Sequence, residues 1–308
     1  MQNLQTKQPK EKTIDPAAES SPEPRISTIP KQLLSRLLIY LFLSIMVVVA
    51  LFPIVYIFLS SFKTNQEIMI GGPRIIPTVW QFKNYIRAWE IANFERYTYN
   101  SLYLAFFIVI GCILTATTAG YVFSRGKTRI SKLIYYMVLS SLFVSIGTLS
   151  LYPQLTLAKA FGLSSSLWGV IIIRVFGMNV TQVFLATSFI NQIPKELDES
   201  AKIDGCGFFR TFAVIILPLL KPLVATIGLI SFRLAWNDYL LPFVFTISKP
   251  ERMPLTVGVV NLKASGYAAS SWDLALAGIS ISLLPMLIVY LILNRFFVSG
   301  LTEGSIKG

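Results

Sequence analysis

Long apolar runs separated by short polar stretches dominate the chain. Six runs match the roughly 20 residues a helix needs to cross the hydrocarbon core of a bilayer. They are Leu37–Leu59, Ser101–Phe123, Leu133–Tyr152, Leu167–Ile190, Phe212–Phe245 and Leu274–Phe297. The pattern predicts an all-α membrane protein with six transmembrane helices. Pro218, Pro222 and Pro242 break the fifth run, which reads as one span entered through a kinked interfacial helix. Residues 1–30 are polar and rich in Pro, Ser, Lys and Glu, so they are expected to be a disordered tail rather than a cleavable signal. Three segments follow: the tail 1–30, a transmembrane domain 31–297, and a short polar tail 298–308.

One polar stretch breaks the apolar rhythm: PKELDESAKIDGCGFFRTFAVIILPLLKP, from Pro194 to Pro222. A proline opens it, helix formers follow, and acidic residues crowd the first turns, where the helix dipole favours them. Gly205 is placed to end that helix in a left-handed conformation. A second apolar run starts almost at once. The expected shape is a short amphipathic helix, a sharp turn and a return into lipid.

This stretch also carries a resemblance. Glu199-Ser200-Ala201, Gly205 and Ile215-x-Leu217-Pro218 keep every spacing of the E-A-A-x3-G-x9-I-x-L-P loop of permease subunits of binding-protein-dependent ABC importers. Ser200 stands where the family has alanine and is as small. The blander reading is an ordinary loop between two membrane helices. The resemblance implies that Glu199 offers charge to a partner ATPase and Gly205 sets the turn. It implies that Leu197, Ser200, Ala201, Ile203 and Phe208 meet the ATPase cleft.

Composition narrows the chemistry. Only 14% of residues are charged and 54% are hydrophobic, against roughly 25% charged in a soluble domain. The absence of histidine removes the commonest general base and metal ligand. The two cysteines, Cys112 and Cys206, form no disulfide framework or metal motif. The formal charge of +12 lies mostly between apolar runs, so membrane topology explains it better than nucleic acid does. Lys and Arg favour the side holding both termini and the Pro194–Pro222 loop. The loop 124–132, with four basic residues and no acid, sharpens the bias. The bias puts both termini and the loop on the cytoplasmic side, and the resemblance implies that the membrane is a prokaryotic cytoplasmic membrane. Gly120–Thr128, GYVFSRGKT, imitates a phosphate-binding loop but has one residue too many and follows a helix rather than a strand.

Polar groups within the spans are the remaining candidates, because lipid penalises them. The fourth run carries Arg174, Asn179 and Gln182; the fifth carries Arg233, Trp236, Asn237 and Asp238. Trp236-Asn237-Asp238 resembles the W-N-[DE] signature of carbohydrate-importer permeases, where this region lines or flanks the translocation path. Interhelical hydrogen bonding is the alternative use of the same side chains. Asp238 is the one obvious acid available to either arginine. The arginine left over would favour an anionic solute if it faced a wet cavity, or it would snorkel to an interface. The C-terminus, with Gly300, Leu301, Thr302 and Lys307, is similar to the tail of maltodextrin-type permease subunits, which reaches the ATPases.

Taken together, the resemblance implies a non-enzymatic permease subunit of a carbohydrate ABC importer. Its partners would be a homologous second permease, a dimer of ATP-binding subunits and an extracytoplasmic solute-binding protein. ATP and Mg would be used by the ATPase, with no cofactor on this chain. An ion-coupled secondary transporter using Asp238 and the intramembrane arginines is the competing reading.

Overall fold

The computed structural model describes residues 31–303 except 73, 92, 145–146, 178 and 265–270, with backbone alone for 31–34, 262–264 and 293–303. The expected N-terminal tail and Lys307 therefore lie outside the described residues. Gly300, Leu301 and Thr302 are described by backbone only, in the last turns of a helix.

No strand occurs among the described residues. In chain order the helices are α1 (Lys31–Ser60), α2 (Asn65–Ile70), α3 (Lys83–Ile91), α4 (Phe94–Arg125), α5 (Arg129–Ser140), α6 (Leu151–Ala160), α7 (Leu167–Phe176) and α8 (Val180–Asn191). They continue as α9 (Glu196–Ile203), α10 (Phe208–Thr211), α11 (Leu217–Leu219), α12 (Lys221–Asn237), α13 (Leu240–Thr246), α14 (Leu255–Ala264) and α15 (Trp272–Glu303). The chain divides into two units, Met1–Phe52 and Pro53–Gly308.

The larger unit is built around α4, which packs against α7, α8, α12 and α14. Leu104, Ile108, Cys112, Ala116 and Gly120 recur every four residues along α4 and are all buried. That spacing puts them on one face. Their sizes fall toward the C-terminal end, which lets neighbouring backbones approach. One core cluster gathers Leu104, Val170, Trp236, Phe245 and Leu255 around the N-terminal half of α4. A second gathers Tyr121, Ala186, Ile190, Phe212, Ile216 and Ile227 around its C-terminal half.

Among the described residues, three helices are long and apolar enough to cross a membrane: Ser35–Ser60, Phe94–Arg125 and Trp272–Ile292. Two broken pairs, α7 with α8 and Phe208–Leu219 with α12, bring the total to five if each pair is one span. The fifth run bends by 82° between its two pieces. Pro218 and Pro222 withhold the backbone donors that would have carried the helix through, and a π-helical turn, Phe212–Ile216, precedes them. The kinked entry is thus present.

The third run departs from expectation. Leu133–Tyr152 is not a continuous helix: α5 ends at Ser140, and 3₁₀ turns at Ser141–Phe143 and Gly147–Ser150 separate it from α6. Ser140 and Ser141 donate their hydroxyls to the carbonyls of Tyr136 and Val138, a bond that competes with the backbone ladder. Gly147 then takes a left-handed φ of 58°. The fourth run also differs, since Asn179 caps the start of α8 instead of sitting inside a continuous span.

Candidate functional site

The Pro194–Pro222 stretch folds as its residues demand. Glu196, Asp198 and Glu199 occupy the first turn of α9. The helix ends in a Schellman turn. The Cys206 N–H donates to the Ala201 carbonyl at 2.8 Å, and that of Gly205 to Lys202 at 3.0 Å. Gly205 has φ of 79°, a conformation that penalises any residue with a β-carbon.

The inner face of α9 is fixed by a contact that charge patterning alone did not single out. Asp198 is buried, and its Oδ2 accepts from Arg125 Nε at 2.8 Å. Tyr121 Oη donates to Asp198 Oδ1 at 2.7 Å. A second Arg125 nitrogen donates to the Ile193 carbonyl at 2.9 Å, and Ser124 Oγ donates to Asn191 Oδ1 at 2.7 Å. The Tyr121 ring also lies against Phe208 and Phe212, with centroids 4.7 and 5.2 Å away. The last turn of α4 therefore holds both α9 and the start of the following helix. The pairing joins residues 73 apart in sequence.

The outer face of α9 carries Leu197, Glu199, Ser200 and Ile203, all exposed. One expectation changes here. Ala201 is 2% exposed, because it follows Asp198 by three residues and shares its inward face. It packs inside the chain. Phe208 leans on Tyr121 yet stays 45% exposed, and its neighbour Phe209 is 81% exposed. The exposure of Phe209 was not expected from the sequence, since a turn at Gly205 resets the helical phase.

The polar residues of the spans separate into two groups. Gln182 is buried and donates to Ser231 Oγ at 3.0 Å. Trp236 is buried, stacks on Phe232 and donates its indole N–H to the Ser282 carbonyl. Asn179 donates to the Arg174 carbonyl and to Cys112 Sγ. The two expected as pathway residues that are fully enclosed, Gln182 and Trp236, join helices here. Asp238 lies in the break between α12 and α13 and accepts from Arg174 at 2.6–2.7 Å. Arg233 and Asn237 are exposed, and no ion pair to Arg233 occurs among the described residues. Arg174, not Arg233, is the arginine that Asp238 neutralises.

The described residues, all helical or irregular and with several long apolar helices and two broken pairs, are those of a polytopic membrane protein. Residues 29–303 match the family described as binding-protein-dependent transport system inner membrane component, and the chain belongs to that family. It is 32% identical over 273 residues to the galactooligosaccharides transport system permease protein GanQ of Bacillus subtilis, covering 87% of this chain and 94% of that protein. It is 28% identical over 283 residues to the maltodextrin transport system permease protein MdxG of the same organism, covering 90% and 98%. In fold it is similar to the crystal structure of a bacterial ABC transporter involved in the import of the acidic polysaccharide alginate. The TM-score is 0.76 at 21% identity, over 88% of this chain and 99% of that chain. Family membership favours the importer permease over the ion-coupled transporter.

Proposed function

We propose that this chain is a permease subunit of a carbohydrate ABC importer and forms half of the translocation path for an oligosaccharide. One observation carries the mechanism: α9 is pinned from inside by Arg125 and Tyr121 while Leu197, Glu199, Ile203 and Phe209 are left outward. A rigid handle with an unpartnered outer face can transmit movement from an ATPase into α4 and α12. In this reading the chain makes six crossings, the broken α5–α6 segment being the third, and the E-A-A-like loop is cytoplasmic. Transport is alternating access, in which the two permeases rock between arrangements biased by the ATPases. ATP and Mg act on the partner ATPase dimer. A homologous permease completes the path, and a solute-binding protein delivers sugar from outside. Gly300, Leu301, Thr302 and Lys307 extend the ATPase contact from the C-terminus.

The test is co-expression with the cognate ATPase and binding protein, followed by uptake of a labelled oligosaccharide panel into proteoliposomes. Uptake is expected to stop when the phosphate-loop lysine of the ATPase is replaced. Uptake by this chain alone would overturn the reading. Glu199→Lys reverses charge on the exposed face of α9 with little change in helix propensity. Membrane insertion should persist while ATPase co-purification falls; full retention would remove Glu199 from the contact.

Orientation has its own check, in a background lacking Cys112 and Cys206. A cysteine at Gly207 should resist an impermeant thiol reagent added outside intact cells, and one at Ile76, which is 67% exposed, should react. The reverse pattern would place the loop on the wrong side for an ATPase.

A further inference from the structure

Where α7 ends and where α12 gives way to α13, the backbone breaks open beside the 3₁₀ turn Gly147–Ser150. The breaks surround a cavity of about 380 Å³, within the roughly 300–1,000 Å³ of small-molecule sites. Thr148, Gln154, Arg174, Asn237, Asp238 and Tyr239 line it. Irregular backbone at membrane depth is tolerated where it lines a water-filled space.

We propose that this cavity is a contact site for uncharged sugar on its way through the permease. The inference rests on the importer reading and assigns a part of this chain to the solute. Three features select the chemistry. The one cation in the lining, Arg174, is held by the one anion, Asp238, at 2.6 Å, so the cavity offers no net charge to attract a uronate. Gln154 and Asn237 carry amides, and Thr148 a hydroxyl. Each can donate and accept, as sugar hydroxyls do. Asn237 uses its N–H on the Arg233 carbonyl, so its side-chain oxygen is the group left to accept. Finally, Tyr239 is braced against Phe243, with rings 5.4 Å apart and nearly parallel. That makes a fixed aromatic ring, whose face is the part that packs against the apolar face of a pyranose.

The experiment uses the complete importer in proteoliposomes: this chain with its partner permease, ATPases and binding protein. The probes are labelled neutral di- to tetrasaccharides, with uronate disaccharides as the charged arm. Gln154→Leu and Asn237→Leu remove polar contacts without adding charge. Each is expected to lower maximal uptake of neutral sugar by about tenfold, the effect of one lost hydrogen bond. Co-purification with the ATPase checks that the variants fold and assemble. Asp238→Asn uncovers the Arg174 guanidinium and should raise the uronate-to-neutral uptake ratio by about tenfold. If both leucine variants assemble and transport every sugar within about twofold of wild type, the cavity is not a solute contact. Preferential uptake of uronates by the wild-type importer also overturns the proposal. If no sugar enters with the wild-type importer, the carbohydrate reading itself falls; wild-type uptake with unaffected variants removes the cavity alone.

Discussion

Replacing Arg125 with leucine is expected to release α9 from the end of α4 and uncouple ATP hydrolysis from uptake. The Arg125 and Asp198 side chains are 7% and 10% exposed. Removing one partner of a buried ion pair leaves the other charge desolvated, at a cost of about 3–5 kcal/mol. Surface pairs, by contrast, contribute only about 0–1 kcal/mol, so burial decides the size of the effect. Tyr121 still donates to Asp198 in the variant, but a neutral phenol does not balance a carboxylate. Removing Arg125 also strips the donor from the Ile193 carbonyl just before α9. Two measurements separate docking from general unfolding. Thermal unfolding of the purified chain should begin earlier, and sugar-stimulated ATPase activity of the assembled importer should fall further than its ATPase-binding stoichiometry. The double variant Arg125→Leu with Asp198→Leu removes both charges. It should recover a substantial part of the lost stability, because coupled residues are not additive. An Arg125→Leu variant with normal stability and normal coupling would show that α9 is held by its apolar contacts alone.

How much of this was readable beforehand depends on the range of the interaction. The Gly205 turn was legible, because a left-handed residue after a run of helix formers leaves a local mark. The bend in the fifth run was legible for the same reason: Pro218 and Pro222 act through their own missing donors. The break in the third run was not. No proline lies between Ser140 and Gly147, and hydroxyls that bond back to carbonyls do not by themselves end a helix, since Ser231 does the same inside α12. Arg125 and Asp198 were both visible, one as part of a basic loop and one as a complement to the helix dipole. The topology even put them on the same side of the membrane. What the sequence lacked was the packing partner: Tyr121 and Arg125 share a face by their spacing of four, but nothing local says that α9 lies against it. The same gap left Arg174 and Arg233 as equal rivals for Asp238. The break after Asn237 decides between them by carrying Asp238 off the α12 axis toward the end of α7. Interior packing contacts such as Trp236 to Ser282 carry no local signature at all.

Substituting Gly120 with alanine should destabilise the helix bundle even though alanine is the better helix former. In isolation the change favours a helix by about 1 kcal/mol. Gly120 faces α8 at the narrow end of the α4 stripe, however. A β-carbon there would meet Ala186 Cβ at 2.5 Å and the backbone of Ala186 and Thr187 at 3.0 Å. Real β-carbons do not approach that closely, and backbone cannot rotate aside as a long side chain can. Either α8 moves outward or α4 does. Overpacking of this kind costs about 1–3 kcal/mol, so the clash outweighs the propensity gain. Movement at this point reaches the coupling loop directly, since Tyr121 is the next residue and holds both Asp198 and Phe208. Gly120→Ala is expected to lower the unfolding temperature and to weaken sugar-stimulated ATPase activity; Gly120→Val should do both more strongly. Ala186→Gly in the same chain removes the closest atom but not the backbone contacts, so it should restore stability in part. Unchanged or raised stability in Gly120→Ala would mean that α4 and α8 separate without penalty, and the close approach at Gly120 would no longer explain how motion passes from the loop into the bundle.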